Sequence, residues 1–213
     1  MQCALGWACW KTYVGRPEAD ELLGMAMSII GNGLFATGRH ADALIVEEAR
    51  LSTIQRLGAS EDRILIVQSN LAISYEMCGR FDEALRMLRD AHTSSVRLYG
   101  TTHEYTLSSA LNLSISLVKA NNTSESMTLL RPLLPVARRV LGADHDISLR
   151  LAHSYVHAVV RCAASSRGDY AFAEKLLEDT VLRFRRVLGT GHPSTQKAET
   201  DLAAIREGLA ELE

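Results

Sequence analysis

The chain has 213 residues, 47% of them apolar and only 6% aromatic, with 4 prolines and a formal net charge of −2. That length buries a sizeable core in one or two domains. The balanced charge leaves no excess of positive side chains to follow a phosphate backbone, so nucleic acid is not the expected partner. No run of about 18 apolar residues is present to span a membrane. The start, MQCALGWACWKTYVGR, lacks the charged first region and long apolar run of a signal peptide. Cys3, Cys9, Cys78 and Cys162 form no Cys-x-x-Cys pair. They read as reduced thiols of a cytoplasmic protein.

Few aromatics and prolines with many Ala and Leu favour helices over strands. Residues 1–16 include WACWKTYVG, where a helix end and its glycine would fall. They predict a degenerate start, or the remnant of a preceding repeat helix. Trp7 and Trp10 there either dock a partner or pack on the first repeat. Residues 17–192 predict four tandem helix–turn–helix repeats. The helix pairs fall at 17–36 and 40–57, 61–78 and 81–99, 103–120 and 123–141, and 145–165 and 169–188. In the second pair, Ile64, Val67, Leu71, Tyr75 and Cys78, then Phe81, Ala84, Leu85, Leu88 and Ala91, recur in steps of three and four. A last helix at 193–213 begins at His192-Pro193-Ser194, with proline in the first turn. Its charged outer face, Glu199, Asp201, Arg206, Glu207 and Glu211, suits a capping helix that shields the last repeat.

Two landmarks set the period. Apolar–Gly pairs end the second helices at Gly58, Gly100, Gly142 and Gly189, spaced by 42, 42 and 47 residues. GRHADAL, GRFDEAL, NNTSESM and GDYAFAE start at Gly38, Gly79, Asn121 and Gly168 and mark the turns inside each repeat. A glycine, or Asn121, there suits a left-handed residue after a helix end. The last spacing is longer because CAASSR precedes Gly168. Pro132 and Pro135 fall within the predicted second helix of the third repeat and predict a bend or break near Arg131–Val136.

Leu71-Ala72-x-x-Tyr75-x-x-x-Gly79-x-Phe81-x-x-Ala84-x-x-x-Leu88-x-x-Ala91 resembles the tetratricopeptide consensus. The Gly-x-aromatic-x-x-Ala signature separates it from HEAT repeats of similar period. YGTTHEYT (99–106), LGADHDIS (141–148) and LGTGHPST (188–195) are similar to the punctuation of kinesin-light-chain-type tetratricopeptide repeats. The resemblance covers about 17–213 and implies an all-α, right-handed solenoid of antiparallel helix pairs with a C-terminal capping helix. It also implies a protein-interaction scaffold. The third repeat departs from the pattern, with Asn121 for Gly and Ser126 for Ala.

No nucleophile elbow, His-Glu-x-x-His or phosphate loop is present. An enzyme, a cofactor, a metal and a small-molecule substrate are therefore not expected. His103, His145 and His192 recur one per repeat and read as turn residues beside helix starts. In the fourth repeat Arg150, His153, Ser154, His157 and Arg161 share one helical face, opposite Leu149, Leu151, Ala152, Tyr155 and Val159. By family resemblance that polar face lines the concave groove. Asn70 and Asn112 occupy the position before Leu71 and Leu113 and resemble groove asparagines that hold a peptide backbone. The expectation is that Asn70, Asn112, Arg150, His153, His157 and Arg161 bind an extended, acidic peptide segment of a partner protein. The alternative is an architectural or regulatory repeat segment of a larger protein, self-associating through its terminal repeats. Arg138, Arg139, Arg183, Arg185 and Arg186 suggest an outer basic face, or a solvated surface with buried stems.

Overall fold

The computed structural model describes Lys11 and residues 21–211, so Trp7, Trp10 and nearly all of the expected degenerate start lie outside the described residues. Among the described residues there are nine helices and no strand. In chain order they are α1 (Glu21–Ala36), α2 (His40–Arg56), α3 (Glu61–Met77), α4 (Phe81–Tyr99), α5 (Glu104–Lys119), α6 (Thr123–Val140), α7 (Asp146–Arg161), α8 (Arg167–Leu188) and α9 (Pro193–Ala210). The chain divides into two compact units, Met1–Ser94 and Ser95–Glu213.

In the first unit α1 packs on α2 and α2 on α3. Ile30, Leu34 and Ala43 form the α1–α2 core, with Phe35 and Val46 against it. Ala72, Ala84 and Ala91 are buried, so a larger side chain there would overpack the helix contact at about 1–3 kcal/mol. Each turn within a pair closes the same way. Gly38 (φ 76°) and Gly79 (φ 75°) are left-handed. The amides of Arg39 and Arg80 reach back to Leu34 and Tyr75, at 3.0 and 2.9 Å. This satisfies carbonyls that the helix end leaves open.

In the second unit every helix packs on the next, and α7 also touches α5 and α9. The first helices of successive pairs thus form one layer. Leu107, Leu111, Leu130, Leu151, Tyr155, Val159, Leu177 and Ile205 fill the core between the layers and are almost wholly buried. Each such leucine contributes about 1.5–3 kcal/mol. Ser126, standing where the other repeats carry alanine, is also fully buried. Its hydroxyl donates to the Ser114 carbonyl at 3.3 Å, which offsets burying a polar atom. Asn121 takes the glycine role at φ 64°, and the Asn122 amide closes the turn on Leu117 at 2.8 Å.

The recurrent histidines have one shared task. Nδ1 of His103, His145 and His192 accepts the amide N–H two residues on, at 3.2, 3.3 and 3.1 Å, and so caps α5, α7 and α9. Three residues beyond two of these caps, Thr106 and Thr195 donate their hydroxyls to the carbonyls of Gly100 and Gly189, at 2.7 and 2.8 Å. Histidine and threonine together pin the linker between repeats.

Two local expectations are corrected. Gly168 is not a left-handed turn residue but lies inside α8. The helix before it ends at Arg161, not 165, through an extended Cys162 (φ −88°, ψ 110°). The chain restarts at Ser166, whose side chain accepts the Asp169 amide while Asp169 accepts the Ser166 amide. The break expected at Arg131–Val136 is also absent, and α6 runs unbroken through both prolines. Pro132 and Pro135 are exposed. The carbonyls they leave without donors belong to Thr128 and Arg131, which are also exposed, so that water is able to replace the lost bonds. On the other side Leu130, Leu134 and Ala137 hold the helix to the core.

Candidate functional site

A groove of about 660 Å³ opens on the second unit, over the layer formed by α5, α7 and α9. Its apolar floor comes from Leu111, Ile115 and Val118 of α5 and from Phe184 and Leu188 of α8. Lys119 stands at the end of α5. From α7 come Asp146, Arg150, His153, Ser154 and His157, and from the start of α9 come His192, Pro193, Ser194 and Lys197. The helical period explains the α7 row. Leu149, Leu151, Ala152, Tyr155 and Val159 are buried in the core, so the polar residues between them face the groove.

Of the six residues singled out in the sequence, Arg150, His153 and His157 line this groove. Asn112 is half-buried on α5 and Arg161 is exposed at the last turn of α7, and neither is part of the lining. Asn70 is exposed on α3, in the other unit. Sequence reasoning missed Lys119, Lys197 and the apolar floor. It also put Asp201 on the outer face of α9, whereas Asp201 is only 8% exposed and turns toward α7. The signal was present: Asn112, Ser154 and Asp201 each lie nine residues after the capping histidine of their helix.

The electrostatics centre on that carboxylate. Asp201 Oδ2 lies 2.7 Å from His153 Nε2, and Oδ1 accepts from Lys197 Nζ at 2.7 Å. Burial pushes the Asp201 carboxyl up, but the bonds from His153 and Lys197 outweigh it and hold the group below its ordinary range. Burial lowers His157 and favours its neutral form, against the pull of Asp201. Arg150 reaches the exposed Asp146 at 3.4 Å. The groove is thus apolar below and cationic along its edge. Among the described residues no cluster of ligating side chains could hold a metal ion.

Of the five arginines singled out on the second helices, Arg139 is exposed near the end of α6 and the other four are ion-paired. Arg138 and Arg183 both bond Asp179, Arg183 and Arg186 bond Asp144, and Arg185 bonds Glu199. Arg206 of α9 bonds Glu174 and Glu178 of α8, at 2.9 and 2.6 Å. The pairs of Arg185 and Arg206 tie α8 to α9 at the surface, and that of Arg138 ties α6 to α8, each worth little alone.

Tetratricopeptide-repeat family models match residues 63–139 and 162–194. The chain is a tetratricopeptide-repeat protein. Solved structures share its fold. The nearly identical TPR-like repeats of a Podosopora anserina protein described as a kinesin light chain superpose with a TM-score of 0.70 at 21% identity, over 88% of this chain and 90% of that one. A single-site variant of the same protein gives 0.72 at 20% identity, with the same coverage. BtubC (BKLC) from P. vanneervenii gives 0.58 at 14% identity, over 99% of this chain and 91% of that one. No curated protein sequence matches the chain. Tetratricopeptide repeats mediate protein–protein interaction, and the fold is a typical non-catalytic scaffold. No helix among the described residues is long and apolar enough to cross a membrane.

Proposed function

We propose that the second unit binds an extended, acidic peptide segment of a partner protein in the groove over α5, α7 and α9. The observation that carries this reading is the pairing of an apolar floor with a cationic edge, in a trough of about 660 Å³. Apolar side chains of a peptide bury on Ile115, Val118 and Leu188, while its carboxylates meet Lys119 and Arg150. Guanidinium–carboxylate bonds orient the chain and hold acidic segments in the groove, and apolar contacts add to the affinity. The reading makes the protein a non-enzymatic cytoplasmic scaffold whose partner is a protein and not a nucleic acid.

The test is a peptide array probed with the wild-type chain and with Arg150→Ala and Lys119→Ala variants. Captured acidic peptides should bind each variant about tenfold more weakly, as for loss of one charge-assisted bond. Unchanged affinity for every captured peptide overturns the reading.

A further inference from the structure

Resting on the reading of this groove as an acidic-peptide site, we infer that Asp201 is the groove's own counter-ion and its specificity determinant. Asp201 fills the anion position that His153 and Lys197 create. It thereby directs a ligand's carboxylate to Arg150 and refuses a second one beside α9.

The repeat register supports this. Asn112 of α5, Ser154 of α7 and Asp201 of α9 are equivalent positions, and only the last carries a charge. A neutral residue there would leave His153 and Lys197 facing the groove without a carboxylate between them. Instead both donors converge on the two oxygens of one side chain, at 2.7 Å each. Asp201 is 8% exposed, so its charge is poorly screened by water. A ligand carboxylate arriving beside His153 meets both repulsion from Asp201 and donors that are already engaged. Like charges brought together at an interface cost enough to set register. Among the described residues Arg150, one turn earlier on α7, pairs with the exposed Asp146 at 3.4 Å and exchanges it readily. The groove as built therefore prefers a ligand with its acidic residue at one end. Its middle is neutralised from within.

The experiment measures anisotropy of fluorescein-labelled hexaglutamate, with hexaglutamine as the uncharged control. It compares the wild-type chain with Asp201→Asn and Asp201→Ser, which copy the residues at the equivalent positions of α5 and α7. Each variant should bind hexaglutamate about tenfold more tightly than wild type, as for one additional charge-assisted bond. Hexaglutamine binding should stay unchanged. In the Asp201→Asn background, Arg150→Ala should retain part of the affinity, because His153 and Lys197 have become a second anion position. Circular dichroism and thermal melting confirm that the variants remain folded. Wild-type binding that neither folded variant strengthens overturns the role of Asp201 and leaves the groove reading standing. Absence of hexaglutamate binding to wild type and variants alike overturns both.

Discussion

The hydroxyls of Ser114 and Ser154, 40 residues apart in the chain, meet at 2.9 Å between α5 and α7. Ser114 also donates to the Leu111 carbonyl at 2.8 Å, so it accepts from Ser154. Both residues are buried, Ser114 completely. Ser114→Ala should lower stability by about 1 kcal/mol, since Ser154 loses an acceptor in a dry place. The double change to alanine should cost less than the two single changes summed. Urea denaturation of all four proteins checks this, and simple additivity would show that the pair is not coupled.

Capping by histidine has a conformational prediction. His145→Ala should cost about 1 kcal/mol, because the Ile147 amide loses its acceptor. His145→Asn should recover most of that loss, since an Asn side-chain oxygen accepts from the same amide. If both changes prove equally costly in denaturant titrations, ring packing and not the cap is what His145 provides.

Asn121 holds φ at 64°, a conformation that costs an ordinary residue about 1–2 kcal/mol. Asn121→Ala should therefore destabilise by about 1 kcal/mol, and Asn121→Gly should leave stability unchanged or raise it. Melting temperatures of the pair settle the order. Alanine at least as stable as glycine would contradict it.

His157 gives the second unit a pH dependence. Burial lowers its folded value beneath the ordinary imidazole value of about 6.5. Below that unfolded value the unfolded chain therefore binds more protons than the folded one. Stability is fully present above pH of about 6.5 and declines as the pH falls through the folded value. Asp201 favours the charged imidazole while Lys197, His153 and Arg161 oppose it. His157→Gln should flatten the stability profile between pH of about 7 and 5 in urea titrations. An unaltered slope in that window would assign the effect elsewhere.

Cys162 is buried, so it should react slowly, but with the pH dependence of a partly ionised thiol. The Ser124 hydroxyl, 3.3 Å away at the first turn of α6, is the main cause that lowers its pKa to about 7. Alkylation by iodoacetamide, followed at Cys162 by mass spectrometry, should therefore show a midpoint near pH 7. Ser124→Ala should move that midpoint upward. A midpoint that does not respond would exclude the hydroxyl as the cause.

Much of the fold was legible because helix ends in this chain are written in backbone chemistry. Gly38, Gly79 and Asn121 had to be left-handed for the pairs to close, and they are. Gly168 misled because it sits at the same point of the pattern but comes after an extended Cys162. The real signal was Ser166 with Asp169 three residues on. The prolines of α6 misled for a different reason. Their cost depends on whether the freed carbonyls face water, and periodicity alone did not weigh that.

The candidate site was less legible. One face of α7 was visible because Arg150, His153 and His157 belong to a single helix. Lys119, Lys197 and Asp201 reach the groove from other helices, and only the packing of α5, α7 and α9 brings them together. Asp201 was assigned to solvent because a charge on a terminal helix ordinarily belongs there. Two donors from different turns make its burial tolerable.

The capping box at Ser166 gives the α7–α8 turn an unusual licence. Since α8 starts from its own local bonds, the helix keeps its phase whatever length of chain precedes it. Ala163 and Ala164 are exposed in that turn, between an ended helix and a self-starting one. This is the place where a fluorescent label or an added peptide tag can be spliced into the array without shifting the register of its neighbours.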